Sequence, residues 1–210
     1  MNVIVIGARE DGHAKVVASI ILQLKKFKLI GFLDDDASKR GKKILGKPVL
    51  GGMNDLKAIC KKNKIAGAIV AIGDNKKRRE LAAILQASNI KLINAIHPTV
   101  HLDPDVKVGA GNYFGQGVII ISGSVIGNCV NLHTGTTIDH DNIIEDGANL
   151  GPGVHTAGRV KIRQNAFLGT GTIVIPDVEI GESVVAGAGT VIISNLKAYS
   201  KVVGNPAREL

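Results

Sequence analysis

Hydrophobic and polar positions follow two different periods along this chain, and the change falls near residue 95. In residues 1–94, short runs rich in β-branched residues alternate with segments of helical periodicity. The pattern predicts strands at residues 3–7, 28–33 and 68–72 and helices at residues 13–24, 54–62 and 76–87. Strands that alternate with helices are typical of a parallel sheet, so residues 1–94 are predicted to form an α/β domain with a small parallel sheet.

From Val108 onward the period is six. The anchor residues of this repeat are Val108, Phe114, Ile120, Ile126, Leu132, Ile138, Ile144, Leu150, Thr156, Ile162, Leu168, Val174, Ile180, Ala186 and Ile192. Thirteen of these fifteen are large and apolar, and a glycine often follows the anchor. Neither an α-helix nor an ordinary strand has a period of six, whereas a parallel β-helix of hexapeptide repeats does. Residues 95–210 are therefore predicted to form such a β-helix.

The charge is distributed unevenly between the two regions. Residues 1–94 hold 19 Lys and Arg against 8 Asp and Glu, and residues 95–210 hold 7 against 10, which gives the whole chain a net charge of +8. Aromatic residues are only 3% of the chain, so no stacking platform accompanies the lysines, and a nucleic-acid partner is not expected. The basic surface is better interpreted as solvated helix faces that steer a small anionic ligand.

The remaining bulk features indicate a cytoplasmic protein. No apolar run is long enough to span a membrane, and the N-terminus lacks the layout of a signal peptide. Cys60 and Cys129 lie far apart without the spacing of a metal site, so two reduced thiols are expected.

Two stretches carry candidate chemistry. The turn after the first predicted strand, residues 7–13, reads GAREDGH and lacks the middle glycine of a dinucleotide fingerprint, so as a Rossmann-like signal it is weak. The stretch TIDHDNII, residues 137–144, places His140 between Asp139 and Asp141 and outside the anchor positions. A histidine at an exposed corner can accept a proton near neutral pH, and a flanking carboxylate can fix its tautomer.

The repeat pattern resembles that of the hexapeptide acyltransferases, whose β-helix is left-handed with three faces per coil, which implies five coils here. A narrower resemblance rests on GFLDDD (31–36), AIGDNKKR (71–78), the histidine motif and VVGNPAR (202–208), in this order along nearly the whole chain. Together these motifs resemble the nucleotide-sugar N-acetyltransferases, including enzymes that acetylate UDP-4-amino sugars or GDP-perosamine. The resemblance implies acetyl transfer from acetyl-CoA to the amino group of a nucleotide-linked amino sugar, in the biosynthesis of surface glycans or glycoproteins.

The resemblance also assigns roles to individual residues. His140 is implied to be the general base and Asp141 its orienting partner, with Asp139 in a lesser role. Implied substrate-binding residues are Gly12, His13, Asp34, Asp35, Gly73, Asn75, Arg78 and His133; implied acetyl-CoA-binding residues are Asn149, Gly158, Thr170 and Ala188. Arg159, Lys161, Lys197 and Lys201 are candidates for the phosphates of coenzyme A. No metal is implied, and the sites are expected between subunits of a homotrimer.

The chain departs from the family pattern at three places. The turn from Gly7 to Gly12 is two residues longer, His133 replaces the usual asparagine, and Asn149 replaces a histidine that helps to bind the thioester. Asparagine can still donate a hydrogen bond to a carbonyl oxygen. These changes leave the geometry of the acceptor open.

The sequence leaves three alternatives open. An acyltransferase of the same fold could act on a hydroxyl group or a small amino acid, although the nucleotide-type first domain argues against it. His133, His140 and His155 also suggest a zinc enzyme like the γ-class carbonic anhydrases, but their spacing does not give the convergence that tetrahedral zinc needs. A purely structural β-helix would release no thiol. The choice between UDP and GDP, and between a C3 and a C4 amine, stays open.

Overall fold

The computed structural model describes residues 1–9 and 12–210, which form two compact units, Met1–Ala95 and Ile96–Leu210. Each unit has a core of its own. The first is an α/β unit and the second a parallel β-helix, so the predicted fold class is confirmed in both parts of the chain.

The first unit is built on a six-stranded sheet with three helices. Its strands are β1 (Asn2–Ile6), β2 (Lys28–Leu33), β3 (Lys43–Ile44), β4 (Lys47–Gly51), β5 (Gly67–Val70) and β6 (Lys91–Leu92), in the order β3-β4-β2-β1-β5-β6. All neighbouring pairs are parallel except β3 and β4, which form an antiparallel hairpin. The helices are α1 (His13–Gln23), α2 (Leu56–Asn63) and α3 (Asn75–Ala87), with 3-10 turns at Ala37–Lys39 and Met53–Asp55.

The three strands and three helices predicted from periodicity are all present, with ends that differ by one or two residues. Strands β3, β4 and β6 were not predicted, because two of them have only two residues and β4 contains Pro48 and Gly51. The central strand β1 is buried at Val3, Ile4 and Val5, which explains its continuous apolar run.

The second unit repeats every 18 residues. After β7 (Ala95–Ile96), which crosses the boundary between the units, the strands are β8 (His101–Leu102), β9 (Lys107–Val108), β10 (Tyr113–Phe114), β11 (Ile119–Ile120), β12 (Val125–Ile126), β13 (Asn131–Leu132), β14 (Thr137–Ile138), β15 (Ile143–Ile144), β16 (Asn149–Leu150), β17 (His155–Thr156), β18 (Lys161–Ile162), β19 (Phe167–Leu168), β20 (Ile173–Val174), β21 (Glu179–Ile180), β22 (Val185–Ala186), β23 (Val191–Ile192), β24 (Lys201–Val203) and β25 (Arg208–Glu209).

These strands form three faces. The first face contains β10, β13, β16, β19, β22 and β24, with β25 paired antiparallel to β24; the second contains β8, β11, β14, β17, β20 and β23, and the third contains β9, β12, β15, β18 and β21. Strands of neighbouring coils pair in parallel with residues 18 apart, as Thr137 pairs with His155 and Ile143 with Lys161. The first corner joins the first face to the second, and the second corner joins the second face to the third.

The anchors of the six-residue period line the interior, as predicted. Fourteen of the fifteen are buried, including Thr156, and only Val108 in the first full coil is partly buried. The corners turn sharply at residues with positive φ, some of them glycines and others polar, such as Asp141, Arg159 and Asp177. The fold therefore keeps apolar side chains inside and leaves the corners for polar chemistry.

Cys60 and Cys129 are both free thiols, and burial raises the pKa of Cys60 above its ordinary value of 9.0. Among the residues that the structure describes, no helix has the length and apolar character needed to cross a membrane.

Candidate active site

The second corner of the β-helix holds a histidine–carboxylate dyad. His140 and Asp141 follow strand β14, and Nδ1 of His140 lies 2.8 Å from Oδ2 of Asp141. A carboxylate only accepts hydrogen bonds when ionised, so Nδ1 is the donor and Nε2 carries the lone pair that can take up a proton. The imidazole is 44% exposed, which leaves this base accessible to a ligand.

The two aspartates beside His140 form different hydrogen bonds. Oδ1 of Asp139 accepts the backbone N–H of His140 at 2.8 Å, which holds the turn and not the ring. Asp141 has a left-handed backbone with φ 57°, and this conformation turns its carboxylate back toward the imidazole. The geometry therefore favours Asp141 as the partner of the ring.

A buried asparagine fixes the backbone beneath the dyad. Asn142 is fully buried, and its side-chain amide donates to the carbonyl oxygens of Asp139, His140 and Ala157 at 2.8, 3.1 and 2.9 Å. Ser124 on the preceding coil donates to the carbonyl of Asp139 and accepts the N–H of Asn142. These bonds tie residues 139–142 to the coils on both sides, so the position of the base is set by the fold.

Glycines of the neighbouring coils make room for both side chains. Gly158 lies 18 residues after His140, and a Cβ at this position would overlap Nε2 and Cε1 of the imidazole. Gly123 lies 18 residues before Asp141, and a Cβ there would overlap Oδ1 of the carboxylate. The dyad is thus packed between two positions where any added side chain would displace the imidazole or the carboxylate.

The other predicted ligand residues of the β-helix lie on the first face or the first corner. His133 is half-buried, and its ring stands edge-on to Tyr113 with 5.2 Å between ring centroids. Asn149 is 4% exposed, and its Oδ1 finds no hydrogen-bond partner among the described residues. Thr170 and Ala188 are exposed at the first corner, one coil apart. Within one chain, the second face separates this group from His140, Asp141 and Gly158 at the second corner.

The three histidines considered for a metal have separate positions. His133 is at the first corner, His140 at the second, and His155 on the second face, where its Nδ1 lies 2.7 Å from Oγ1 of Thr137. Within residues 1–9 and 12–210, the structure contains no group of three His, Cys, Asp or Glu side chains arranged to hold a metal ion.

In the first unit, the predicted substrate-binding residues follow the carboxyl ends of adjacent strands. The segment Gly7–Gly12 comes after β1, Asp34 and Asp35 come after β2, and Gly73 and Asn75 come after β5. Strand order reverses on the two sides of β1, and ligands of open α/β sheets bind at such a point. Glu10 and Asp11 of the lengthened turn lie outside the described residues.

Gly7 and Asp34 join the first two of these segments. Gly7 has φ +100°, and a Cβ would approach the carbonyl oxygen of Ala71 to 2.9 Å, so a side chain cannot be accommodated there. The N–H of Ala8 donates to Oδ2 of Asp34 at 2.8 Å, and Nζ of Lys39 lies 2.9 Å from the same oxygen. Burial alone would raise the pKa of Asp34, but the hydrogen bonds from the Asp36 N–H, Lys39 and the Ala8 N–H hold it below 3.8.

Asp35 and Arg78 also stabilise these loops. Oδ1 of Asp35 accepts the N–H of Met53 at 2.7 Å. Arg78 is fully buried, and its guanidinium donates to the carbonyl of Ile72 at 3.2 Å and to Oδ1 of Asn75 at 3.0 Å. Arg78 therefore holds the Gly73 loop in this structure, and its direct contact with a diphosphate stays a prediction. Gly12 precedes α1 as its N-cap, and His13 is the first residue of that helix.

Two cavities open beside these loops. One, of about 320 Å³, has an apolar floor of Ala8, Ile44 and Val49 and a cationic rim; the rim residues are Arg9, Lys39, Lys42 and Lys43. The other, of about 350 Å³, is lined by residues of the Asp34–Arg40 and Gly51–Asp55 segments. Both cavities are lined entirely by residues of the first unit.

Sequence and structure comparisons identify relatives of the whole chain. Residues 2–85 match the PglD N-terminal domain family. A perosamine N-acetyltransferase from Caulobacter crescentus, solved in complex with CoA and GDP-perosamine, is 34% identical and superposes with a TM-score of 0.93 over 100% of this chain and 97% of its own. The acetyltransferase domain of PglB from Neisseria gonorrhoeae, solved with acetyl coenzyme A, is 30% identical with a TM-score of 0.88 over 100% and 98% of the chains.

Two further matches are more distant or partial. WeeI from Acinetobacter baumannii is 26% identical, with a TM-score of 0.87 over 100% of both chains. Uncharacterized protein L142 of Acanthamoeba polyphaga mimivirus is 30% identical over 117 residues, and the chain spans only 22% of the length of that curated relative. The perosamine and PglB enzymes are covered almost end to end at 30% identity or more, so they define the relationship. The chain belongs to the sugar N-acetyltransferases of the hexapeptide-repeat, left-handed β-helix superfamily.

Proposed function

We propose that this protein transfers the acetyl group of acetyl-CoA to the amino group of a nucleotide-linked amino sugar, with His140 as general base. The single observation that carries the proposal is the dyad at the second corner, where Nδ1 of His140 lies 2.8 Å from Asp141 and the ring is accessible. The Caulobacter relative, solved with CoA and GDP-perosamine, supports the choice of both substrates.

The reaction balances with one proton acceptor. The amine nitrogen of the sugar attacks the thioester carbonyl carbon, a C–N bond forms, and the C–S bond of acetyl-CoA breaks. Nε2 of His140 takes the proton that the nitrogen loses, and this proton neutralises the departing thiolate, so that CoA leaves as the free thiol. Asp141 stabilises the imidazolium during this transfer by accepting from Nδ1. General-base catalysis of this kind contributes about 10²- to 10⁴-fold to the rate.

The first unit supplies the nucleotide site in this proposal. Loops after β1, β2 and β5 meet at one sheet edge, and α1 begins there at His13, so its N-terminal N–H groups favour an anion. The neighbouring cavity combines an apolar floor with four basic side chains, which suits a nucleoside diphosphate. Gly12, His13, Asp34, Asp35, Gly73 and Asn75 are the proposed loop residues.

The acetyl-CoA residues favour an active site between subunits. Asn149, Thr170 and Ala188 lie on the first face or first corner, whereas His140 and Gly158 lie at the second corner. A second copy of the chain can place the first group opposite the dyad of its neighbour, and a homotrimer does so three times. Outward-facing apolar side chains that are about two-fifths exposed provide area for this contact; they include Ile119, Ile143, Phe167, Ile173 and Val185.

The buried amide of Asn149 supports acetyl-CoA as the co-substrate. Its Oδ1 has no hydrogen-bond partner within the described residues, and an unpaired buried oxygen is costly unless a ligand supplies a donor. The amides of the pantetheine arm carry such donors, and the amide nitrogen of Asn149 can donate to the thioester carbonyl. We propose the cytoplasm as the location, and a role in making sugars for surface glycans or glycoproteins.

The proposal can be tested by measuring the release of free thiol from acetyl-CoA in the presence of each of a panel of UDP- and GDP-linked amino sugars. The wild-type protein is expected to release thiol with at least one of them, and His140→Ala should reduce the rate by about 10²-fold or more. Asp139→Asn is the matched control, because Asp139 bonds to the backbone and not to the ring. Thiol release with a hydroxyl acceptor or an amino acid, and with no nucleotide sugar, would replace the proposed acceptor. Full activity of His140→Ala would exclude the proposed base.

A further inference from the structure

The corner that carries the dyad continues as a column of charged residues. Asp141, Arg159 and Asp177 occupy the same position in three successive coils, with left-handed φ values of 57°, 61° and 63°. Their backbones are tied to the coil before: Asp141 N–H donates to Ser122, Arg159 N–H to the carbonyl of His140, and Asp177 N–H to Gly158. Arg159 therefore lies one coil after Asp141 and one coil before Asp177. Neighbouring coils are about 4.8 Å apart, so both carboxylates are close to its side chain.

The structure shows which of the two acids Arg159 selects. Its Nε and terminal nitrogen bind both carboxylate oxygens of Asp177, at 2.6 and 2.8 Å. This hydrogen-bonded guanidinium lowers the pKa of Asp177 below 3.8, with a smaller contribution from the charge of His140, and Asp177 in turn raises the pKa of Arg159. Asp141 contributes to the charge environment of Arg159 as well, so the two acids compete for one cation.

Pairing with Asp141 would have a chemical consequence. A guanidinium on Asp141 would occupy the carboxylate that receives Nδ1 of His140, and it would bring a positive charge close to the imidazole. The Arg159 and Asp177 side chains are more than half exposed, at 53% and 63%, so their ion pair contributes little to stability. The pair acts by placing charge and not by holding the fold.

We propose that Asp177 is a positioning residue, which binds Arg159 and thereby keeps the carboxylate of Asp141 available to His140. The three charged side chains line one groove of about 420 Å³, together with Lys161, Val178, Glu179 and Asn195. Arg159 is thus already paired with Asp177 in the ligand-free protein. In this proposal, binding to the phosphates of coenzyme A is a lesser role of Arg159 than its pairing with Asp177. For its catalytic consequence, the inference rests on the proposed function.

The titration of His140 reports this arrangement directly. The charged or titratable groups nearest the ring are Asp139 and Asp141 on its own corner and Arg159 and Asp177 on the following coils. Farther away are Lys161 and Glu179 in the same groove as Asp141, Asp105 in the same column two coils before Asp141, and His155 on the adjacent strand. Removing the charge of Asp177 releases Arg159 and disfavours the imidazolium. Removing the charge of Arg159 does the opposite, because Asp177 is then an unpaired anion.

The experiment is an NMR titration of the His140 ring in the ligand-free, full-length protein at low ionic strength, assigned with His140→Gln. Asp177→Asn should lower the midpoint by about 0.5–1 pH unit, and Arg159→Gln should raise it. The double variant Arg159→Gln/Asp177→Asn should return to within about 0.2 unit of the wild type, since it removes both charges. The acid limb of kcat/KM should move in the same directions.

Glu145→Gln is the control for loss of an ion pair elsewhere, because Glu145 pairs with Arg163 at 2.6 Å after strand β15. It should leave the His140 midpoint unchanged. An unchanged midpoint in Asp177→Asn, or a double variant that shifts as far as Asp177→Asn, would overturn the inference. The titration needs no substrate, so these outcomes stay distinct from a failure of the proposed acetyl transfer.

Discussion

Replacing Gly158 by alanine should disable the base although neither His140 nor Asp141 is itself substituted. A Cβ at residue 158 would overlap Nε2 and Cε1 of the imidazole, whereas ordinary contacts begin near 3.4 Å. The ring must therefore withdraw by about 1 Å, and a displacement of this size at a reacting group costs about 10²-fold in rate. We expect kcat to fall about 10²-fold in the thiol-release assay.

The same substitution should hardly change the free energy of unfolding. Gly158 does not have a left-handed φ, and the atoms in its way belong to a partly exposed side chain that can move. Alanine also restricts the unfolded chain, which stabilises by about 0.4–1 kcal/mol and offsets the local strain. Chemical denaturation should therefore give a value within about 1 kcal/mol of the wild type.

Gly117→Ala is the control with the opposite signature. Gly117 has φ +71° and open space around it, so alanine there should cost about 1–2 kcal/mol of stability and leave the activity intact. If Gly158→Ala instead retains kcat and raises only the KM for acetyl-CoA, Gly158 contacts the co-substrate and does not support the ring. A fully active Gly158→Ala variant would contradict the packing argument altogether.

Three further predictions concern the dyad, the buried Asn142 beneath it and Asp34 in the first unit. Asp141→Asn should lower kcat by at least about 10-fold, against less than about 3-fold for Asp139→Asn, measured as thiol release at pH 7.5. Asn142→Ala should cost about 2–4 kcal/mol in denaturant unfolding, because it leaves three backbone carbonyls in two successive turns without their shared donor. The pKa of Asp34 in the folded protein is below 3.8, so the ionised carboxylate stabilises the fold fully above about pH 5. This contribution is lost as the pH falls through the folded-state pKa. The difference in free energy of unfolding between the wild type and Asp34→Asn should therefore shrink below about pH 4.

The sequence predicts the fold well because both units rest on apolar periods. The six-residue spacing identifies the interior of the β-helix residue by residue, and the alternation in residues 1–94 identifies the central strands and all three helices. The short hairpin β3–β4 has no period to detect. Its pairing depends on contacts that only the folded chain supplies.

The candidate site is less predictable because its supporting contacts join residues 18 apart. Sequence motifs single out His140 and Asp141 but give no reason to connect Gly158 with the ring or Arg159 with Asp177. Arg78 looks like a ligand for phosphate in the sequence, yet in the structure it is buried and bonds to Ile72 and Asn75. Once the coil length of 18 residues is known, the spacing predicts the contacts of Gly158 with His140 and of Arg159 with Asp177. No comparable pattern in the sequence predicts that Arg78 is buried.

The regular coil also explains how a repeat of small and apolar residues can build a catalytic corner. Every coil places one residue at the same point of the second corner, so a side chain there meets its counterparts 18 residues before and after. Glycine at 158 leaves space for the imidazole, Asp141 orients it, and Asp177 binds the arginine that lies between the two acids. Because the contact of Gly158 with the ring and the pairing of Arg159 with Asp177 each link different coils, a single insertion between residues 141 and 177 would break at least one of them without removing any residue.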